Sequence, residues 1–166
     1  MPVPVVSDSP YQLAHINIAR MRGDWEDPVM AEFFARLDAV NAIAEASPGF
    51  VWRLQADDDA TLALRVFGDR LILFNVSVWQ SVESLRAFSY AGAHLEVLRE
   101  RQRWFTKPER AYLALWWVPA GHRPTLEEGR DRLQSIDDLG PTAGAFTFQS
   151  PFPAPAAAGD RRAAPG

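Results

Sequence analysis

The side chains of this sequence best suited to chemistry lie on two predicted strands. His15 and Asn17 alternate along the first strand, and Asn75 and Ser77 alternate along another, where Trp79 shares their parity. Side chains two apart in a strand point to the same face of a sheet, so each set lies on one face. Asn is depleted in strands and costly to bury unpaired. These residues therefore indicate a polar sheet face with a candidate site.

The composition limits the kinds of function. The chain has 166 residues, 48% of them hydrophobic, which fits one globular domain. It contains no Cys, which excludes disulfides, thiolate metal sites and a Cys nucleophile. A net charge of −4 without a long basic run argues against nucleic acid or an anionic membrane as a partner. Because no apolar run approaches a membrane span and no secretory pattern is present, we expect a soluble cytoplasmic protein.

Hydrophobic periodicity predicts strand, helix, strand, strand, helix, strand and a short last helix. The strands are predicted over 11–19, 50–55, 71–79 and 111–118, and residues 61–67 are ambiguous, with a short extra strand as the interpretation. Asp27-Pro28 begins the first helix, and Gly92 divides the second into two shorter ones. This order is typical of an α+β, ferredoxin-like βαββαβ fold, an antiparallel sheet with helices on one face.

The domain organisation predicted from these patterns is simple. Residues 1–10 form an extended lead-in, residues 11–150 a single domain, and residues 151–166 a disordered tail rich in Pro and Ala. The strands carry large apolar side chains on both parities, so both sheet faces need cover. Helices on one face leave the other open, and we therefore expect a homodimer that pairs two sheets. Tyr112 and Trp116 are assigned to the face of Asn75.

Six segments carry a likeness to known proteins: LAHINIAR (13–20), ASPGFVWRLQ (46–55), NVSVWQSVESLRAF (75–88), AHLEVLRERQRWF (93–105), LWWVPAGHRPT (115–125) and GPTAGAFTF (140–148). With them the chain resembles the dimeric α/β-barrel superfamily, and more closely a bacterial domain-of-unknown-function family within it. That superfamily includes antibiotic-biosynthesis monooxygenases, which oxidise polycyclic phenols without metal or flavin, and haem-degrading monooxygenases.

The resemblance assigns residues to each chemistry. Asn75, Trp79 and Arg99 resemble the Asn, Trp and Arg set of the phenol-oxidising group. The haem-degrading group uses a first-strand Asn, where Asn17 stands, and a Trp and a His on its second helix. Phe88 falls near that Trp position, while His94 lies about a turn earlier than that His. The resemblance also implies that the sheet face carrying Asn75 packs against the helices. The residues alone instead favour packing of the opposite face, which carries the aliphatic side chains, against the helices.

Cofactor-free oxidation of a phenol needs a base, donors to the anion, and flat apolar walls. His94 is the candidate base, because an unperturbed imidazole has a pKa near 6.5. Asn75, Asn17 and Arg99 are the candidate donors, and His15 and Phe88 complete the substrate-binding set. The candidate walls are Trp79, Trp104 and Trp116. We expect no resident cofactor and a small hydrophobic or aromatic molecule as ligand.

Other interpretations stay open. The Trp residues can equally be core side chains with no role in binding. His94 can be a half-buried helix residue, and His122 can stabilise its loop. The three His could bind a metal, although they lie on three different elements. The alternatives to an enzyme are a non-catalytic carrier or sensor of the same fold, a haem-binding protein with His94 or His15 as axial ligand, and a structural dimer without a ligand.

Overall fold

The structure, a computed structural model, describes residues 9–156. Within that range the strands are β1 (Tyr11–Arg20), β2 (Phe50–Arg53), β3 (Ile72–Trp79) and β4 (Leu113–Pro119). The α-helices are α1 (Pro28–Ala46), α2 (Asp59–Phe67), α3 (Val82–Ser89), α4 (Gly92–Arg99) and α5 (Leu126–Leu139), and a 3₁₀ turn covers Arg101–Arg103. No helix of the described range is long and apolar enough to cross a membrane.

The four strands form one antiparallel sheet in the order β2-β3-β1-β4. With α1 between β1 and β2, and α3 and α4 between β3 and β4, this is the predicted ferredoxin-like arrangement. In the register of the two central strands, His15 faces Ser77 and Asn17 faces Asn75. The two polar pairs predicted from alternation therefore share one sheet face, which we call the polar face. The opposite face, which carries Ala14, Ile16 and Val76, is the aliphatic face.

Local chemistry explains where the helices beside the polar face begin. The Asp27 carboxylate accepts a hydrogen bond from the Val29 N–H, and Pro28 occupies the first helical position of α1. Ser81 and Ser84 form a reciprocal capping box at the start of α3. The chain then breaks before α4, where Gly92 has a φ of +54°. The predicted division of the second helix is therefore confirmed.

Helices cover both faces of the sheet. Side chains of α1, α3 and α4 pack on the polar face, as the resemblance implied. On the aliphatic face, Val66 of α2 and Leu126 and Leu133 of α5 join the strand residues in one core cluster. The extra strand predicted over 61–67 is wrong. Asp58 caps α2, whose Leu62 and Val66 are spaced to face the sheet, and short apolar runs of this kind do not distinguish helix from strand.

The cover on the aliphatic face removes the reason given for a dimer. We expected a second copy to bury that face, but α2 and α5 of the same chain already pack on it. Dimerisation thus stays a prediction that now lacks this particular support.

The chain end returns to the polar-face core. Phe146 exchanges two backbone hydrogen bonds with Leu115 of β4, each 2.8 Å long. Further on, the Phe152 ring packs 5.8 Å from that of Phe146, and the Phe152 carbonyl accepts a hydrogen bond from Nε1 of Trp117. The predicted disordered tail therefore does not begin at residue 151. Residues 157–166 of that tail and 1–8 of the lead-in lie outside the described residues.

Candidate functional site

The candidate site is a ladder of facing pairs on the polar face of β1 and β3. Leu13 faces Trp79, His15 faces Ser77, and Asn17 faces Asn75. Directly opposed residues of antiparallel strands have Cβ atoms about 5 Å apart, so each pair is in reach of contact. Burial changes along the ladder, from the enclosed Trp79 ring to the exposed Asn75 side chain. The ladder therefore has a closed apolar end and an open polar end.

A short hydrogen-bonded relay joins three side chains at the buried end. Nε1 of Trp79 donates to the Ser77 hydroxyl oxygen at 3.0 Å. The same oxygen lies 3.1 Å from Nδ1 of His15. All three residues are buried, and His15 retains only 6% of its surface exposed. Ser77 thus connects the indole of one strand with the imidazole of the next.

His94 reaches the same region from α4. Its Nδ1 lies 2.7 Å from the Ser89 backbone oxygen. A carbonyl oxygen only accepts, so Nδ1 carries the proton and donates it in this bond. The His94 ring packs 4.9 Å from Phe88, which stacks 5.4 Å from Trp79 at an interplanar angle of 23°. The relay and the aromatic stack therefore both start at Trp79, and each ends at an imidazole.

Burial keeps both imidazoles neutral. It lowers the pKa of His15 to about 3, with a smaller contribution from repulsion by a protonated His94. Burial also lowers the pKa of His94, and the hydrogen bond to the Ser89 backbone raises it by a smaller amount. An imidazole that is neutral near pH 7 offers one nitrogen as a hydrogen-bond acceptor and the other as a donor. The two rings can thus act as uncharged hydrogen-bond donors and acceptors at neutral pH.

The open end of the ladder presents two side-chain amides. Asn75 is exposed and Asn17 is half-buried. No hydrogen bond joins either side-chain amide to another of the described residues. On the next sheet position outward, Leu73 packs against the separate cluster of Met21, Met30, Phe33 and Trp104. Two unpaired amides between apolar clusters can donate to, or accept from, a ligand that lies over the sheet.

Three residues predicted for the site lie elsewhere. Trp116 faces Ala14 in the register, which places it, with Tyr112 on the same parity, on the aliphatic face. Trp104 lies in the cluster of Met21, with the guanidinium groups of Arg36 and Arg103 5.5 and 5.3 Å from its ring. The assignment of Trp116 to the polar face was therefore wrong, because the parity of residues along one strand does not specify which face they share with a distant strand. Trp104 lies at the far side of Leu73 from the amides, and its role as a wall stays a prediction.

Arg99 is the third residue that the structure separates from the site. It is exposed at the end of α4 and makes no hydrogen bond or ion pair within residues 9–156. It follows His94 by five residues, which is about 140° around an α-helix. Val97, three residues after His94, instead shares its side and packs toward the cluster of Trp104. Arg99 therefore lies on a different side of α4 from His94.

The third histidine has a structural role. Nε2 of His122 lies 2.9 and 3.0 Å from the two carboxylate oxygens of Glu128, which braces the loop before α5. Within the described range no three His, Asp or Glu side chains gather as metal ligands. Beside His94, the Phe88 ring of α3 stacks on the Trp79 ring of β3.

Two surface cavities lie away from the ladder. One, of about 490 Å³, follows the outer edge of β2 along residues 50–55 with Glu45. The other, of about 350 Å³, lies between α3 and residues 151–153, beside Trp117 and Arg86. Neither includes a residue of the His15–Ser77 or Asn17–Asn75 pairs.

Sequence reasoning missed two contributors. Ser77 was assigned to the polar face but given no role. Its hydroxyl links Trp79 to His15 only because His15 lies opposite it in the strand register. The Ser89 carbonyl that holds His94 was not considered, because it becomes available only where α3 ends before Gly92. The break at Gly92 was the signal in the sequence that could have pointed to a free carbonyl.

Comparison with known protein families shows which family the chain belongs to. A family described as "Domain of unknown function (DUF3291)" matches residues 12–162. The chain belongs to the DUF3291 family. A search of curated proteins gives no significant match for this DUF3291 member.

Solved structures show weaker similarities. The crystal structure of SnoaB, a cofactor-independent oxygenase from Streptomyces nogalater, is 19% identical over 69% of this chain and 96% of that chain, with a TM-score of 0.42. Rv0793 from Mycobacterium tuberculosis is 16% identical over 69% and 99% of the two chains, with a TM-score of 0.45. PA3566 from Pseudomonas aeruginosa is 12% identical over 69% and 95%, with a TM-score of 0.43. Similarities at this level carry no activity over to the DUF3291 chain.

Proposed function

We propose that this protein is a cofactor-independent monooxygenase that oxidises a phenolic aromatic molecule on the polar face of its sheet. One observation carries the proposal. The Ser89 carbonyl holds the proton of His94 on Nδ1, which leaves Nε2 as a basic lone pair. The His94 ring packs on Phe88, which stacks on Trp79 of the strand that also carries Asn75, and Asn75 faces Asn17 in the register. A base beside donors to an anion is the combination that phenol oxidation requires.

The reaction can be balanced without a resident cofactor. For anthrone, a base removes one proton to give the anthranolate, and this electron-rich anion passes one electron to O₂. The carbon radical and superoxide then combine into a peroxide, and loss of water with the second hydrogen of the ring carbon gives anthraquinone. One anthrone and one O₂ thus yield one anthraquinone and one water. The oxidant is O₂, and the protein supplies the base and the environment of the anion.

The proposed roles follow the burial gradient of the ladder. His94 takes the proton at Nε2. The Asn17 and Asn75 amides donate to the anion at the open end, where Asn75 is exposed and a ligand can enter. Phe88, which is half-buried and stacks on the enclosed Trp79 ring, presents the apolar floor on which one edge of the substrate rests. His15 is joined to the Trp79 ring through Ser77.

The test measures oxygen uptake with anthrone as probe, together with anthraquinone formation. His94→Gln should lower the rate by a factor of roughly 10² to 10⁴, the usual contribution of a general base. Asn75→Ala should lower it by roughly 10² if its amide stabilises the anion. His122→Gln is the matched control, because that histidine braces a loop and should leave the rate unchanged.

Oxygen uptake that survives both site substitutions would reject this assignment. If anthrone quenches Trp fluorescence but is never turned over, the protein is instead a binding module for aromatic molecules, the alternative expected from the sequence.

A further inference from the structure

We propose that Gly92 is the positioning residue for His94: its left-handed backbone separates α3 from α4, and the carbonyl left free by this break decides which imidazole nitrogen is basic. Gly92 is the first residue of α4 and has a φ of +54°. This role deepens the proposed function and rests on it for the use of that nitrogen as a base. The position of the imidazole proton does not depend on any reaction, so it can be measured separately.

The break leaves the carbonyl of Ser89 without its ordinary helical partner. In a continuous α-helix the carbonyl of one residue accepts from the N–H four residues later, so Ser89 would be paired with Ala93. α3 instead ends at Ser89, and α4 starts its own hydrogen bonds with the Leu95 N–H, which donates to the Ala91 carbonyl at 3.4 Å. Within residues 9–156 no backbone N–H from beyond α3 donates to Ser89.

The His94 side chain supplies the missing donor. Its Nδ1 lies 2.7 Å from the carbonyl oxygen of Ser89, which is a buried residue. A buried carbonyl without a donor costs free energy, and this bond removes that cost. Because a carbonyl only accepts, the proton of the neutral ring lies on Nδ1 and the lone pair lies on Nε2.

The Nε2 lone pair is left available. No described residue forms a hydrogen bond with it, and it is not sealed inside the protein. The one fully enclosed side-chain nitrogen or oxygen that lacks a partner within residues 9–156 is Nε1 of Trp116. The break between the helices thus leaves His94 with one nitrogen held by the backbone and one free to accept a proton.

The backbone at Gly92 controls this arrangement without any contact of its own. A Cβ built there would meet no atom within 4 Å, so a larger residue has room. Its cost would come from the positive φ, which residues with a Cβ rarely adopt. Alanine favours the right-handed helix, which would join α3 to α4, return the Ser89 carbonyl to the Ala93 N–H, and remove the acceptor from His94.

The tautomer is measured by long-range ¹H–¹⁵N correlation spectra of the histidine side chains in the intact protein. The wild type should show His94 protonated at Nδ1, and Gly92→Ala should lose this fixed proton. Gly92→Asn should keep it, because Asn tolerates the left-handed region better than other residues with a side chain. A wild-type His94 protonated at Nε2, or a Gly92→Ala spectrum identical to that of the wild type, would overturn the proposal.

Gly68→Ala is the matched control. Gly68 ends α2 with a φ of +73°, and a Cβ there also meets nothing within 4 Å. Both alanine variants therefore strain the backbone in the same way, and both should lose stability in urea unfolding. Only Gly92→Ala should change His94, and an altered tautomer in Gly68→Ala would contradict a local effect. If Gly92→Ala does not fold, the wild-type spectrum and the Gly92→Asn spectrum still decide the question.

Oxygen uptake with anthrone separates this role from the proposed reaction. A displaced catalytic group can lower a rate by roughly 10², so Gly92→Ala should fall by about that factor while Gly92→Asn stays near the wild type. A tautomer that changes as expected, without oxygen uptake by any variant, would support the role of Gly92 and reject the monooxygenase. Equal oxygen uptake by Gly92→Ala and the wild type would reject the role of Gly92 and leave the monooxygenase standing.

Discussion

At the scale of single residues, burial rather than residue type decides the protonation and role of a histidine. His15 and His122 are the same side chain, but one is enclosed beside Ser77 and the other is exposed beside Glu128. The enclosed ring loses the hydration that an imidazolium needs, which lowers its pKa to about 3. The same loss makes it a permanently neutral hydrogen-bonding group at physiological pH.

This burial predicts sensitivity to acid. Below pH 6.5 the unfolded chain binds protons that folded His15 and His94 do not, so the free energy of unfolding falls as the pH falls toward their lowered pKa values. For His15 the loss should approach about 2 kcal/mol between pH 7 and pH 5, at about 1.4 kcal/mol per pH unit. Urea unfolding at pH 7, 6 and 5 measures it.

Carboxylates such as Asp58 and Asp69, whose pKa values are also lowered, act mainly below this window, because their unfolded values are already near 3.8. In His15→Gln the fall between pH 7 and pH 5 should be clearly shallower. Parallel pH profiles for the variant and the wild type would contradict the assignment.

At the scale of elements, the second layer of helices makes the sheet a two-sided core. α5 packs on the aliphatic face so closely that a side chain at Gly129 has no room. A Cβ there would lie 2.5 Å from Cδ1 and 3.2 Å from Cβ of Ile16, which is itself fully buried. The glycine costs helix propensity, but it lets the helix backbone approach the strand.

The close approach predicts an interaction between two substitutions. Gly129→Ala should destabilise the fold by roughly 1 to 3 kcal/mol through overpacking, although the same change in an open helix would stabilise it. Ile16→Val removes the clashing Cδ1 and should cost about 1 kcal/mol alone. The double variant should be more stable than the sum of the two effects predicts, as measured by urea unfolding. Strict additivity would show that α5 does not press on Ile16.

At the scale of the whole molecule, residues that follow α5 pack into the same core cluster as Leu13 of β1. Phe146, Phe148 and Phe152 pack on the cluster of Leu13, Trp79 and Leu115. The Arg86 side chain donates to the Phe148 carbonyl at 2.9 Å and Trp117 donates to that of Phe152. The residues after α5 thus bind across α3 and β4, next to the aromatic floor of the candidate site.

Phe152 provides a measure of how firmly this segment is held. Its ring is half-buried, so Phe152→Ala should lower the free energy of unfolding by roughly 1 to 2 kcal/mol, less than the loss of a fully buried ring. Gln149→Ala, at an exposed neighbouring position, should change it by less than about 0.5 kcal/mol. Denaturant unfolding distinguishes the two. Equal stability of both variants and the wild type would restore the boundary at residue 150 that the composition suggested.

Much of the site was accessible from alternation along single strands. The grouping of His15 with Asn17, and of Asn75 with Ser77 and Trp79, needed only the two-residue period of a strand, and the register confirms it. The capped starts of α1 and α3 and the break at Gly92 are equally local, because each depends on hydrogen bonds or dihedral angles within a few residues. The ferredoxin-like order followed from these elements.

By itself, then, the sequence determined the four strands, α1 and the divided second helix, their order, and the polar side of β1 and β3. The tertiary structure decided everything that depends on register between distant residues. It placed Trp116 on the aliphatic face, folded residues 59–67 as a helix over that face, and turned Arg99 away from His94. It also brought Ser77 to His15 across 62 positions of the chain. The physical reason is that the two-residue period of a strand specifies which of its side chains share a face. Only strand pairing and helix packing specify which other residues that face contacts.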